Sequence, residues 1–116
     1  MRGYTLNGPS ATGTANKTAV AVMSTTAVRP RVYEFSIGLT SAPNSTDQQL
    51  DWAIGRVTTA GTAGSTPTPN PVDPADVASV ATGAITHSAE PTYASTYLQE
   101  NAINQRAMYR WVAVPG

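Results

Sequence analysis

Along the chain, hydrophobic and polar residues alternate with a period of two far more clearly than with the period of a helix. Over 31–40, Tyr33, Phe35, Ile37 and Leu39 alternate with Val32, Glu34, Ser36 and Gly38, which puts the four large side chains on one face of a strand and scatters them around a helix. Residues 50–58 repeat the pattern, with Leu50, Trp52 and Ile54 opposite Asp51, Ala53 and Gly55. Asn44-Ser45-Thr46-Asp47 lies between the two runs and is rich in turn formers, so the spacing predicts a hairpin-type pair sharing one core. A Val/Thr/Ala-rich run over 17–23 predicts a further strand, and 84–89, 96–103 and 105–114 predict three more. In the last of these, Tyr109 and Trp111 alternate with Arg106, Met108, Arg110 and Val112, so one face carries rings and the other mixes arginine with apolar groups.

Between these runs the pattern breaks in two places. Residues 7–16 contain turn formers without periodicity and predict an N-terminal loop or arm. Residues 60–74 hold Gly61, Gly64, Pro67, Pro69, Pro71 and Pro74; proline removes ladder donors, so a projecting loop is expected that docks on a neighbouring subunit. At its end Asp73, Pro74 and Asp76 supply an N-cap, a favoured first helical residue and an acidic third position, with Gly83 as a stop. That arrangement predicts one short helix. The expected fold is all-β: an antiparallel β-sandwich, jelly-roll-like, formed as a single domain over 1–116 with one short helix and a Pro/Gly-rich loop.

Composition narrows what such a domain does. Of 116 residues, 41% are hydrophobic and only 12% charged, about half the charged share of an ordinary domain. Seven basic and seven acidic residues cancel to a net charge of +0. With no counterion-release term to offer, nucleic acid and anionic membrane are not expected partners. A surface this neutral lacks the repulsion that keeps copies apart. The chain has no cysteine, hence neither disulfide framework nor thiolate chemistry. It shows no signal peptide and no run of membrane-spanning length, so synthesis in a cytoplasm is expected.

Chemistry-bearing residues are sparse. His87 is the single histidine, and Ser88 beside it in a predicted strand points to the opposite face, so the pair makes no nucleophile and base. No catalytic residue, cofactor or small-molecule substrate is expected. No metal site is expected either: zinc wants more His and Cys than one histidine supplies. Asp47 with Asp51, and Asp73 with Asp76, lack the dense Asp/Asn/Gly spacing of a calcium loop and read as turn and capping acids. Tyr93, Tyr97, Tyr109, Trp52 and Trp111 offer either a sugar-stacking platform or core and subunit packing, with packing favoured. The sequons at Asn16 and Asn44 read as chance. Arg, Met and aromatic residues are enriched at interfaces, so Pro67, Pro69, Pro71, Arg106, Met108, Arg110 and Trp111 are the expected contact residues.

Taken as a run, Asp73-Pro74-Ala75-Asp76, Thr86-His87-Ser88-Ala89-Glu90-Pro91-Thr92, Asn104-Gln105-Arg106 and Arg110-Trp111-Val112-Ala113-Val114-Pro115-Gly116 resemble small structural proteins of tailed-phage and prophage virions. Tyr33-Glu34-Phe35 and the Gly61 region extend the likeness over most of the chain. The resemblance implies a non-enzymatic β-sandwich subunit present in many copies in the virion. It would bind copies of itself and a major capsid or other virion protein, as a capsid decoration or outer-virion component. The alternative is a lectin-like or receptor-binding β-sandwich of a phage tail or cell surface. Proteins of this kind continue past the proline-glycine, so the expectation is either a shortened form of a longer protein or a domain completed by a strand from a neighbour at an open sheet edge.

Overall fold

The computed structural model describes residues 2–9 and 16–115. Among them the chain is all-β: β1 (Tyr4–Thr5), β2 (Val20–Met23), β3 (Glu34–Ile37), β4 (Gln49–Ile54), β5 (Val57–Thr59), β6 (Asn70–Pro71), β7 (Thr82–Ile85), β8 (Thr92–Tyr93), β9 (Gln99–Asn104) and β10 (Tyr109–Val112). The strands form two-stranded ladders, β1–β6, β2–β7, β3–β10, β4–β9 and β5–β8. The four longest-range pairings are antiparallel. The chain divides into two compact units, Met1–Pro30 with Val57–Thr92 and Arg31–Arg56 with Tyr93–Gly116.

In the first unit β2 pairs with β7 in the register Val20↔Ile85, Ala21↔Ala84, Val22↔Gly83 and Met23↔Thr82. Ala21 and Ala84 are buried on one face together with Ala81 elsewhere in the unit. Gly83 is required where it stands: a β-carbon there would meet the Leu6 side chain at 2.7 Å and the Pro67 carbonyl at 2.9 Å.

The proline-rich segment lies against this unit and does not project. The Gly83 N–H donates to the Pro67 carbonyl (2.7 Å), Ile85 N–H to Ser65 (3.0 Å) and Thr62 N–H to Ala89 (2.9 Å), with bridges Thr62↔Ala89 and Ser65↔Ile85. Pro71 then enters β6 opposite Tyr4. Proline cannot donate but its carbonyl accepts, so the segment serves as an edge that covers β7. Of the arm expected over 7–16, residues 10–15 lie outside the described residues. Gly8 packs so closely on the Ala19 carbonyl, Val20 and Ile85 that a β-carbon would stand 2.4 Å from the Ala19 oxygen.

The helix expected after Asp73 does not form. Its cap chemistry is present, since Asp73 Oδ1 accepts the Ala75 N–H (3.0 Å) and the Asp73 carbonyl accepts the Asp76 N–H (2.9 Å), but one turn is all that follows. A helix so short does not recover its nucleation cost without a buried face, and Val77 and Val80 are 57% and 59% exposed. Ser79 Oγ takes the Ala81 N–H (3.1 Å) and the Tyr4 hydroxyl donates to the Val77 carbonyl (3.0 Å), so local and tertiary bonds claim groups a helix needs.

In the second unit the two strands expected to form a hairpin do not pair with each other. β3 pairs with β10, Phe35↔Trp111 and Ile37↔Tyr109, while β4 pairs with β9, Leu50↔Ile103 and Trp52↔Asn101. The connection over 38–48 is too long for a tight hairpin loop and carries the chain from one ladder to the other. The turn over 105–108 makes the same crossing in the opposite direction. The expected core is shared all the same: Phe35 meets Trp52 edge-on at 5.6 Å and stacks on Trp111 at 5.4 Å, and Trp52 lies 4.7 Å from Tyr109. Trp52 is 8% exposed, whereas Tyr33 and Leu39, expected on the buried face, lie outside the strand and remain exposed.

Candidate functional site

Of the expected contact residues, Pro67, Pro69 and Pro71 belong to the first unit and Arg106, Met108, Arg110 and Trp111 to the second. The prolines are turned inward: Pro69 is buried, and Pro67 and Pro71 are half-buried in the pairings described above. Their carbonyls and pairings are used within the first unit.

Arg106 and Met108 do come together, at the corner where β9 turns into β10. Arg106 is not in a strand, contrary to the expectation over 105–114. Asn104 Oδ1 accepts its N–H (2.9 Å) and the Asn104 carbonyl accepts that of Ala107 (2.9 Å), which closes a tight turn. Met108 lies across Gly38 and is 69% exposed. With Leu39, Ser41 and Pro43 it lines a shallow depression of about 390 Å³, which Arg106 borders. Arg106 Nε sits 3.5 Å from Asp47 Oδ1, so Asp47 has an ion-pair role at this corner.

Gln105 holds the corner in place. It is 6% exposed and its amide is satisfied on both sides. Oε1 accepts the Asn44 N–H (3.1 Å), while Nε2 donates to the carbonyls of Asn44 (3.1 Å) and Thr46 (2.9 Å). Its own N–H donates to the Gln48 carbonyl (3.0 Å). One side chain thus ties together the two crossings that link the ladders. The sequence offered no signal for this beyond a glutamine in a polar turn.

Arg110 and Trp111 point to opposite faces of β10. Trp111 stacks on Phe35, and Tyr109 is fixed by a hydrogen bond from Gln99 Nε2 to its hydroxyl (3.1 Å). The rings of this face pack on one another. Tyr93 and Tyr97 form a second edge-on pair at 6.4 Å over Gly55. On the outer face Arg110 pairs with Glu34 diagonally across the ladder. The bond from Arg110 holds the Glu34 carboxyl below the usual carboxylate range.

In the first unit Glu90 gathers the chain that leads into β2. Its Oε2 accepts the Thr18 N–H (2.8 Å) and its Oε1 lies 3.5 Å from Lys17 Nζ. The bond from the Thr18 backbone, more than the lysine, pulls its carboxyl below the ordinary value. Asp76 pairs with Arg2 at 3.5 Å. His87 follows the end of β7, not the middle of a strand as expected, because Thr86 adopts φ 51° and breaks the extended run. Both ring nitrogens of His87 are shielded from solvent and have no hydrogen-bond partner among the described residues.

Exposed apolar side chains are frequent in both units. Val72, Val77 and Val80, together with Val20 and Val22 of β2, line the first; Leu98, Met108, Val112 and Val114 line the second, each more than 40% exposed. No side chain among the described residues is fully buried. No protein-family model, curated protein or solved structure matches the chain.

Proposed function

We propose that this chain is a non-enzymatic structural subunit that completes its packing inside an assembly, and that the assembly is a virion in which it serves as a capsid decoration or other outer component. The observation that carries the assembly reading is the mismatch between apolar content and burial. Apart from three alanines and two prolines, Trp52 is the one buried apolar side chain among the described residues, while valines, Leu98 and Met108 stay open to water. Contact with another chain would take these apolar side chains out of water. Two-stranded ladders add to it, since each leaves unpaired backbone groups along its edges.

The resemblance of the 73–76, 86–92 and 104–116 segments to tailed-phage virion proteins directs this reading to a virion. The ring contacts between β3–β10 and β4–β9 support a small β-sandwich as the architecture of the second unit. Such a subunit stabilises a shell by mass action: it binds assembled lattice in preference to free capsid protein and shifts the equilibrium toward the assembled state. The corner of Leu39, Pro43, Arg106 and Met108 is the proposed contact with the major capsid protein.

Sedimentation of the purified chain over a range of concentrations, joined to mass determination of its copy number in purified particles, tests this reading. Oligomers or stoichiometric incorporation are expected. Little change between low and moderate salt is expected too, because few charges contribute. A chain that stays monomeric and is missing from particles overturns it.

A further inference from the structure

The backbone bonds of the first unit single out one strand edge. Gly83 and Ile85 of β7 direct their N–H groups to Pro67 and Ser65. Backbone groups of successive strand residues point to alternate sides, so Thr82 and Ala84 face β2, and their partners Met23 and Ala21 form the hydrogen-bonded pairs of that ladder. The N–H and C=O groups of Val20 and Val22 therefore point away from β7, to an edge that no described residue pairs with.

Among strands of three or more residues, all but β2 and β7, which is flanked on both sides, carry or adjoin devices that discourage edge pairing. Glu34 stands in β3, Asp51 in β4, Pro71 in β6, Glu100 in β9 and Arg110 in β10, and Arg56 precedes β5. Charges and proline on an edge act against docking of another strand. β2 has none of these. From Thr18 to Val28 the chain holds no charge and no proline, and the nearest charge, Lys17, is drawn aside by Glu90.

We propose that β2 pairs with β2 of a second copy, antiparallel about a two-fold axis at Ala21, to give a continuous four-stranded sheet β7–β2–β2–β7. This rests on the assembly reading and names its first contact. The geometry favours a second copy over an unrelated strand because the edge is self-complementary. With the axis at Ala21, Val20 of each copy faces Val22 of the other, and these are the residues whose donors and acceptors point outward. Their side chains, 41% and 42% exposed, then form cross-strand β-branched pairs on one face, an arrangement that stabilises antiparallel ladders. Ala21 meets its counterpart as a non-hydrogen-bonded pair, with Cα atoms about 4.5 Å apart.

Two variants test this. Val22→Lys places a charge on the proposed contact face at a half-exposed site, so the fold should persist by circular dichroism while the dimer dissociation constant measured by sedimentation rises roughly tenfold or more. Ala21→Cys, in a chain without cysteine, should give a covalent dimer under mild oxidation, since the about 4.5 Å separation lies within disulfide range. Val77→Cys, exposed but away from the edge, should not. Self-association that survives Val22→Lys, with no cross-link through Cys at 21, overturns the proposal and leaves the assembly reading standing. A wild-type chain that remains monomeric alone yet enters particles overturns it as well, whereas absence from particles in addition removes the assembly reading too.

Discussion

Gln105 shows how much a single buried amide decides. Its four polar contacts are made to a loop distant in sequence, and three of them come from the side chain. Removing one partner of a buried hydrogen bond leaves the other unsatisfied at a cost of about 1–3 kcal/mol. Gln105→Ala is therefore expected to destabilise the second unit by roughly that amount. The loss should be localised: amide hydrogen exchange at Asn44, whose N–H loses its acceptor, should speed up well before that of β4. Equal exchange in the two proteins would show that the loop holds itself. In the sequence Gln105 was indistinguishable from any turn residue, because its partners at 44–48 are set by which strands pair. Trp52 was legible, since a tryptophan in an alternating run is buried whichever strand it pairs with.

At the scale of elements, the 60–74 segment reverses its sequence expectation. Prolines argue against a ladder because they lack donors, yet an edge needs acceptors, and the carbonyls of Ser65 and Pro67 supply them to β7. Deletion of 62–69 is thus expected to expose the N–H groups of Gly83 and Ile85, remove the buried Pro69 and unfold the first unit. The β signal in circular dichroism should fall and the thermal transition broaden or split. A deletion variant with unchanged spectrum and midpoint would show that the segment is dispensable to the unit. The failed helix has the same origin. Asp73 caps as its sequence implies, but capping stabilises a helix only where the turns beyond it find a surface to bury.

At the scale of the whole molecule, the acid response follows from two carboxylates, one in each unit. Glu34 and Glu90 both have folded values held below the ordinary value of 4.5, through Arg110 and through the Thr18 N–H with Lys17. A depressed folded pKa contributes stability that is complete above the unfolded value and is lost as pH falls through the folded one. Thermal midpoints should accordingly be flat from neutrality to about pH 5 and decline below it. Glu34 is exposed and Glu90 half-buried at the surface, so water screens both and the decline is shallow. Glu90→Gln should lower the neutral midpoint slightly and flatten the acid limb. An acid limb identical to that of the unaltered chain would show that Glu90 carries none of it.

The sequence alone determined the all-β class, most strand positions and the inward faces of Phe35, Ile37 and Trp52, because side-chain direction in a strand depends only on a period of two and on apolar burial; that Trp111, expected as a contact residue, stacks on Phe35 followed only from the pairing of β3 with β10. Strand partners were decided by tertiary structure. The period that marks a face says nothing about which strand lies alongside, so 31–40 and 50–58 read as a hairpin although β3 meets β10 and β4 meets β9. Tertiary structure also decided the division into two units and the role of the prolines, since both depend on where distant carbonyls and apolar side chains come to rest. The run from Thr18 to Val28 carries no charge and no proline. That its backbone groups at Val20 and Val22 face an open edge followed only from the bonds that Gly83 and Ile85 make on the other side of β7.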